Sequence, residues 1–293
     1  MTNHFLLIRM AEKEIQFRKK RELGDIISDS FEFIKQERRP LLKLLFVYVV
    51  PFVVLYAIVQ VLVQIKIMGS VDLTNPEDVL SKLGPIYFNL FLSMLFGLFV
   101  QSLLCGAFYS YIEIYVRKGK NNFDLNEITP LLFSNSLLAL GANFVLFIII
   151  MAGIVMCILP GLYFANTFSL VLMMVIFEKK GLGNALSRSW ALVNSQWWNT
   201  LLINILGVLI IMAFGFVLSI PSMIAGVSTS FFSLKETGTL NYPDWYWVLM
   251  GISTVITSIL YIVPYTFLAF QYFNLDEWTS PAQQPPVQNS LNS

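Results

Sequence analysis

Reactive side chains are scarce in this chain, which has one histidine, His4, and two cysteines, Cys105 and Cys157, in 293 residues. So few ligands exclude an ordinary zinc site, and the same shortage leaves no histidine-based pairing of nucleophile and base. Both cysteines fall inside apolar runs near opposite ends of their segments, so a mutual disulfide is not expected and each reads as a small core residue. Charge is scarce too. Only 13% of residues are Asp, Glu, Lys or Arg, and from Ser136 to Phe177 there is none. Ion-coupled transport normally needs an ionisable group within the membrane, and none stands at mid-span. Gly181-Leu182-Gly183 is a lone glycine pair rather than a phosphate cradle, more in keeping with a hinge into the following helix. No catalytic residue, metal or cofactor is expected. Residues 1–22 also lack the apolar core and small-residue cleavage site of a signal peptide, so the first membrane helix is expected to be the targeting signal. Met10 offers a second start of translation.

What the chain has in abundance is apolar surface. At 56% hydrophobic and 15% aromatic, it is too apolar for a soluble domain and reads as an all-α membrane protein. Runs near 41–65, 86–109, 136–158, 162–177, 200–220 and 246–270 give six transmembrane helices, each measured against the ~20 residues that a ~30 Å hydrocarbon core needs. Pro160-Gly161 is the turn signal that divides the uncharged stretch into a hairpin, leaving a short fourth span or a bent, re-entrant pair. Pro51 and Pro264 mark kinks in the first and sixth spans, and Pro221 ends the fifth. Asn75 or Thr74 caps a short surface helix beginning at Pro76, and Gly119 stops the helix of the second span. Residues 1–22 form a charged arm, residues 23–278 the membrane domain, and 279–293 a disordered tail rich in Pro, Gln, Asn and Ser.

Between the fourth and fifth spans lies Glu178 to Trp198, polar yet helix-patterned, with Leu182, Ala185, Leu186, Ser189, Trp190 and Val193 on one face. An earlier stretch, Gly24 to Lys35, aligns on Gly183 to Asn194 without gaps: Gly24 with Gly183, Ser28 with Ser187, Ser30 with Ser189, Phe31 with Trp190. Both precede a spanning run. The expectation is a repeated amphipathic helix lying at the membrane interface, over 23–37 and 182–196. Ten of the nineteen Lys and Arg residues lie ahead of the first span or in its first turn, and six more in the second and fourth loops. Only Lys66, Lys82 and Lys235 lie opposite. The positive-inside rule then places both termini, and both amphipathic helices, on the cytoplasmic side.

The remaining polar candidates are amides on the spans, Asn89, Gln101, Asn143, Asn166 and Asn204, which serve either as interhelical hydrogen-bond partners or as a polar solute pathway. At the membrane boundary, Glu178 is placed to pair with Arg188 or with the N-terminus of the next helix, beside Ser189 and Trp190. Pro160-Gly161-Leu162-Tyr163, Glu178, Ala185-Leu186-Ser187-Arg188-Ser189-Trp190 and Trp198 resemble the membrane domain of glycerophosphoryl diester phosphodiesterases and related bacterial membrane proteins, as does Leu23 to Phe31. In that family the catalytic barrel is a separate soluble domain, so the resemblance implies a membrane module with no activity to carry over. The expected function is a non-enzymatic scaffold or accessory subunit of the bacterial inner membrane. Its expected partners are membrane lipids and a membrane protein or a second copy of the chain, not nucleic acid. A transporter or channel for a small or amphipathic solute is the alternative.

Overall fold

In a computed structural model, which describes residues 14–70, 75–237 and 242–279, the described chain is helical and contains no strand. The helices are α1 (Leu23–Gln36), α2 (Arg38–Tyr48), α3 (Val50–Ser70), α4 (Pro76–Lys118), α5 (Leu125–Met156) and α6 (Ile158–Thr167), followed by α7 (Val171–Ile176), α8 (Leu182–Ser195), α9 (Trp197–Thr237), α10 (Asp244–Leu260) and α11 (Ile262–Thr279). Taking α6–α7 and α10–α11 each as one bent unit, six helices among the described residues are long and apolar enough to cross a membrane. Leu55, Ile58, Leu62, Val208, Leu209 and Met212 face outward from α3 and α9. An apolar exterior of this kind suits a lipid surround, where backbone groups are satisfied inside each helix.

Several boundaries differ from the sequence expectation, and proline chemistry accounts for most of them. The stretch expected as the first span, 41–65, falls in two helices that break at Val49, two residues before Pro51, and its membrane-crossing window begins at Val50. Proline disfavours helical geometry in the residue before it and removes a donor, so the interruption falls upstream of the ring. Likewise the sixth span breaks at Tyr261, ahead of Pro264, and its helix continues to Thr279 rather than ending at 270. The hairpin between α5 and α6 turns at Cys157, whose backbone is extended, and not at Pro160-Gly161. Pro160 lies in the first turn of α6, where an absent N–H costs nothing. Gly161 instead lets two helices meet: a Cβ there would lie 2.9 Å from the backbone nitrogen of Ile154.

Other helices are longer than expected. Asn75 caps α4, its side chain accepting the Glu77 N–H at 3.0 Å, but the helix starting at Pro76 runs without interruption into the second span. It stops at Gly119, whose φ of +83° suits glycine. Pro221 does not end the fifth span, because α9 passes through it to Thr237, as prolines in membrane helices often permit.

The arm is less detached than its composition suggested. Residues 1–13 and the tail from 280 onward lie outside the described residues, but residues 14–22 dock on the bundle. Phe17 is 3% exposed and stacks on Phe270 with ring centroids 4.4 Å apart. Phe33 and Tyr115 meet it edge-on. Arg21 is buried as well, donating to the carbonyl oxygen of Phe17 at 2.7 Å and to Asp29 Oδ2 at 2.8 Å.

Two helices match as the sequence alignment requires. α1 and α8 both span 14 residues, and each is followed after one residue by the next helix. α1 buries Ile26, Ser30 and Phe33; α8 buries Ala185, Ser189 and Leu192 at the aligned positions, with Val193. Phe31 and Trp190, also aligned, are 45% and 42% exposed. α1 packs on α11, and α8 packs on α7, α6 and α11. The centre of each apolar stripe is therefore buried against protein, while Trp190, expected on the same face, stays exposed.

Candidate functional site

Residues 14–22, α1, α8 and the ends of α4, α7 and α11 meet at one end of the bundle, where charged side chains from distant parts of the chain join. Glu178 follows the end of α7, and Lys179, with φ of +53°, turns the chain away. Glu178 Oε1 accepts hydrogen bonds from Arg188 Nε at 3.2 Å and from the Tyr272 hydroxyl at 2.9 Å. Its other oxygen pairs with Lys180 Nζ at 2.5 Å. Arg188 Nη2 continues the network to Asp276 Oδ1 at 2.7 Å, and Asp276 Oδ2 pairs with Arg18 Nη1 at 3.2 Å. Three segments far apart in sequence are thus tied by alternating charge. Burial alone would raise the Glu178 pKa, but the hydrogen bonds from Lys180, Tyr272 and Arg188 and the Arg188 charge outweigh it and hold the carboxyl below its ordinary value. For Arg188 burial acts downward, and Glu178 and Asp276 more than reverse it.

A second cluster lies nearby. Lys179 Nζ is 3.1 Å from Glu113 Oε2 and donates to Asn135 Oδ1 at 3.0 Å. Asn135 Nδ2 in turn donates to Glu113 Oε2 at 3.1 Å and to Ser110 Oγ at 2.9 Å. Sequence reasoning passed over Glu113, Asn135, Tyr272 and Asp276. Glu113 and Asp276 were legible only as acids at the ends of apolar runs; nothing local names their partners.

Ser189 and Trp190 mark a third feature, the break between α6 and α7 at Phe168 to Leu170. A helix broken within its span leaves carbonyls without internal donors. The Ser189 hydroxyl supplies one, donating to the Thr167 carbonyl at 2.8 Å, and Trp197 Nε1 donates to Thr167 Oγ1 at 3.3 Å. Trp190 packs edge-on against Tyr163, with ring centroids 5.6 Å apart.

The amides are distributed among separate helix contacts. Asn166 Nδ2 donates to the Trp197 carbonyl at 3.2 Å, and Asn166 Oδ1 accepts from Asn204 Nδ2 at 2.8 Å, joining α6 to α9. Asn143 Nδ2 donates to Ser102 Oγ at 2.9 Å between α5 and α4. Gln101 donates to the Tyr265 hydroxyl, linking α4 to α11. Asn89 bonds within its own helix, to the Pro85 carbonyl at 2.7 Å, on an exposed face. Asn166 and Asn204 therefore meet, while Asn89, Gln101 and Asn143 serve other contacts. Among the described residues, no group of three His, Cys, Asp or Glu side chains is placed to hold a metal ion. Cys105 is buried, Cys157 is exposed, and both are free.

No protein-family model, curated protein or solved structure matches the chain. The fold itself defines an all-helical, multi-pass membrane protein.

Proposed function

We propose that this protein is a non-enzymatic scaffold or accessory subunit of the bacterial inner membrane, with both termini in the cytoplasm and α1 and α8 lying along the inner leaflet. The observation that carries this reading is the repeated helix. Twice the chain builds a 14-residue element that buries one face against the bundle and leaves a large aromatic, Phe31 or Trp190, exposed at the same position. A large aromatic with one wet and one apolar side suits a membrane interface or a partner's surface. The amides favour this reading over transport, because most are engaged between helices rather than arranged along one route. The resemblance to the phosphodiesterase membrane domain points the same way, since it brings no catalytic residue.

Photo-crosslinking residues placed at Phe31 and at Trp190 in cells test the proposal. A discrete adduct with another membrane protein or with a second copy of the chain is expected at one or both. A purified protein that is strictly monomeric, with no adduct at either position, defeats the scaffold reading. A tag at Ser293 reached only from outside the cell overturns the topology.

A further inference from the structure

Helices α3 and α10 pack side by side, and between them runs a groove of about 520 Å³. On α3 it extends from Val54 to Leu62, and on α10 its wall includes Trp247 and Ile252. Leu62 and Ile252 are both exposed, so the groove opens toward lipid. Two small residues keep its floor low. Ala57 is buried, and a Cβ on Gly251 would meet nothing nearer than Val61 Cγ2, at 3.7 Å. No lining residue carries a charge, a hydroxyl or an amide, so the wall has nothing to hold a polar solute.

Dimensions separate the apolar occupants. From Val54 to Leu62 a helix rises about 12 Å, and one leaflet contributes about half of a ~30 Å hydrocarbon core. A single acyl chain fits that depth, whereas a partner's spanning helix needs the whole core and is about 10 Å across. The groove also ends where a lipid headgroup belongs. Val61 packs against the cluster of Ala225, Tyr246 and Trp247, which places the start of α10 beside the last turns of α3, away from the charged end of the bundle. Indole rings favour headgroup depth. Lys66 follows Ile58 and Leu62 at intervals of four on the same face of α3, one turn beyond the groove and one residue before the apolar window closes at Ile67. It is exposed, and among the described residues no carboxylate pairs with it. Lysine at such a position lays its stem on apolar surface and extends its ammonium to the interface. Asp244, exposed at the start of α10, offsets part of that charge, so the headgroup beyond the phosphate need not be anionic.

We propose that this groove holds one phospholipid of the leaflet away from the charged end, with an acyl chain lying between α3 and α10 and its phosphate on Lys66. The hydrocarbon supplies the fit, and the ion pair fixes the depth. This inference needs α3 and α10 to cross the membrane but does not need the scaffold reading. Lipid retention in the groove and partner crosslinking at Phe31 or Trp190 can each fail while the other stands.

The test is native mass spectrometry of the full chain in mild detergent, supplied with phosphatidylglycerol, phosphatidylethanolamine or diacylglycerol of matched acyl chains. One tightly held phospholipid per chain is expected, with both phospholipids retained over diacylglycerol by about tenfold, the ratio that one charge-assisted hydrogen bond supports. Lys66→Ala, at an exposed position, should erase that preference, and Lys66→Arg should keep it. Gly251→Leu places a side chain in the groove itself and should lose the lipid, whichever of the three is supplied. Unfolding temperature checks that this variant is folded, and if it is not, the comparison of the three lipids on the wild type decides alone. Equal retention of the three lipids by the wild type overturns the proposal, as does unchanged retention in folded Gly251→Leu. A photo-crosslinker at Ile252 that captures a membrane polypeptide in place of lipid assigns the groove to a partner's helix and overturns it too.

Discussion

Ser30 and Ser189 occupy the same place in two matching helices, both completely buried, but their hydroxyls do different work. Ser30 Oγ donates at 2.6 Å to the Ile26 carbonyl within its own helix, whereas Ser189 Oγ donates at 2.8 Å across to Thr167, beside the break between α6 and α7. The Ile26 carbonyl lies inside α1, where the helix provides its own donor, but the Thr167 carbonyl sits at a helix end. Ser189→Ala should therefore lower stability by about 0.5–1.5 kcal/mol, while Ser30→Ala changes it by only a few tenths. Thermal unfolding of both variants in lipid nanodiscs measures the difference. Equal effects would show that the Thr167 contact contributes nothing of its own.

Arg188 bridges two acids, and each is mostly shielded, with side-chain exposures of 18% for Glu178 and 13% for Asp276. Replacing it with alanine removes one partner from each acid, although Asp276 keeps Arg18 and Glu178 keeps Lys180 and Tyr272, and should cost about 1–3 kcal/mol. Lysine should rescue only part of this loss, because one ammonium does not reproduce a planar fork that reaches both carboxylates. Unfolding temperatures of Arg188→Ala and Arg188→Lys beside the wild type decide the matter.

Acid tests the same network by a separate route. The Glu178 carboxyl titrates below its ordinary 4.5 in the folded protein. Its stabilising contribution is thus complete above that value and lost as pH falls through the lower, folded one. Wild-type unfolding temperature should decline from pH 5 toward pH 3 (about one unit either side of an ordinary carboxylate), and Glu178→Gln should decline less steeply. Parallel curves for the two proteins would remove Glu178 from the acid response.

Close approach of helices gives a sharper contrast. At Gly106 in α4 an added Cβ would lie 2.5 Å from the Cα and backbone nitrogen of Ser136 in α5, whereas at Gly141 nothing stands within 4 Å. Backbone cannot move aside as a side chain can, so Gly106→Ala should destabilise by about 1–3 kcal/mol. Gly141→Ala should be neutral or slightly stabilising, as alanine favours helix. Yield and unfolding temperature of the two variants in one detergent provide the comparison.

Periodicity and hydropathy made the helical class, the six apolar spans and the α1/α8 match legible, since these depend on local spacing. The breaks at Val49, Cys157 and Tyr261 were harder to place because proline acts on residues upstream of itself and is harmless in a first helical turn. Phe17 was hidden for another reason. It stands among Arg18, Lys19, Lys20 and Arg21, so composition around it indicates solvent, and only the fold reveals an aromatic pocket formed with Phe33, Tyr115 and Phe270. At the site, Arg188 was one of two partners legible for Glu178, the other being the N-terminus of the next helix, because both are near in sequence, and the structure joins it to Arg188. Asp276 and Tyr272 entered through tertiary contact alone.

Asn166 and Asn204 offer the clearest means of separating structural amides from a solute route. If their contact is an interhelical hydrogen bond, single leucine variants should each destabilise the α6–α9 contact, and the double variant should cost less than the sum. The expected coupling is about 0.6–1.7 kcal/mol, the range for such bonds in membranes. Asn143 belongs to a different contact, through Ser102, and should be additive with either. Unfolding in lipid of the single and double variants supplies the cycle. Additivity of Asn166 and Asn204, together with wild-type stability in both single variants, would mean that the pair does not hold the helices together, and would return those two amides to the transport alternative.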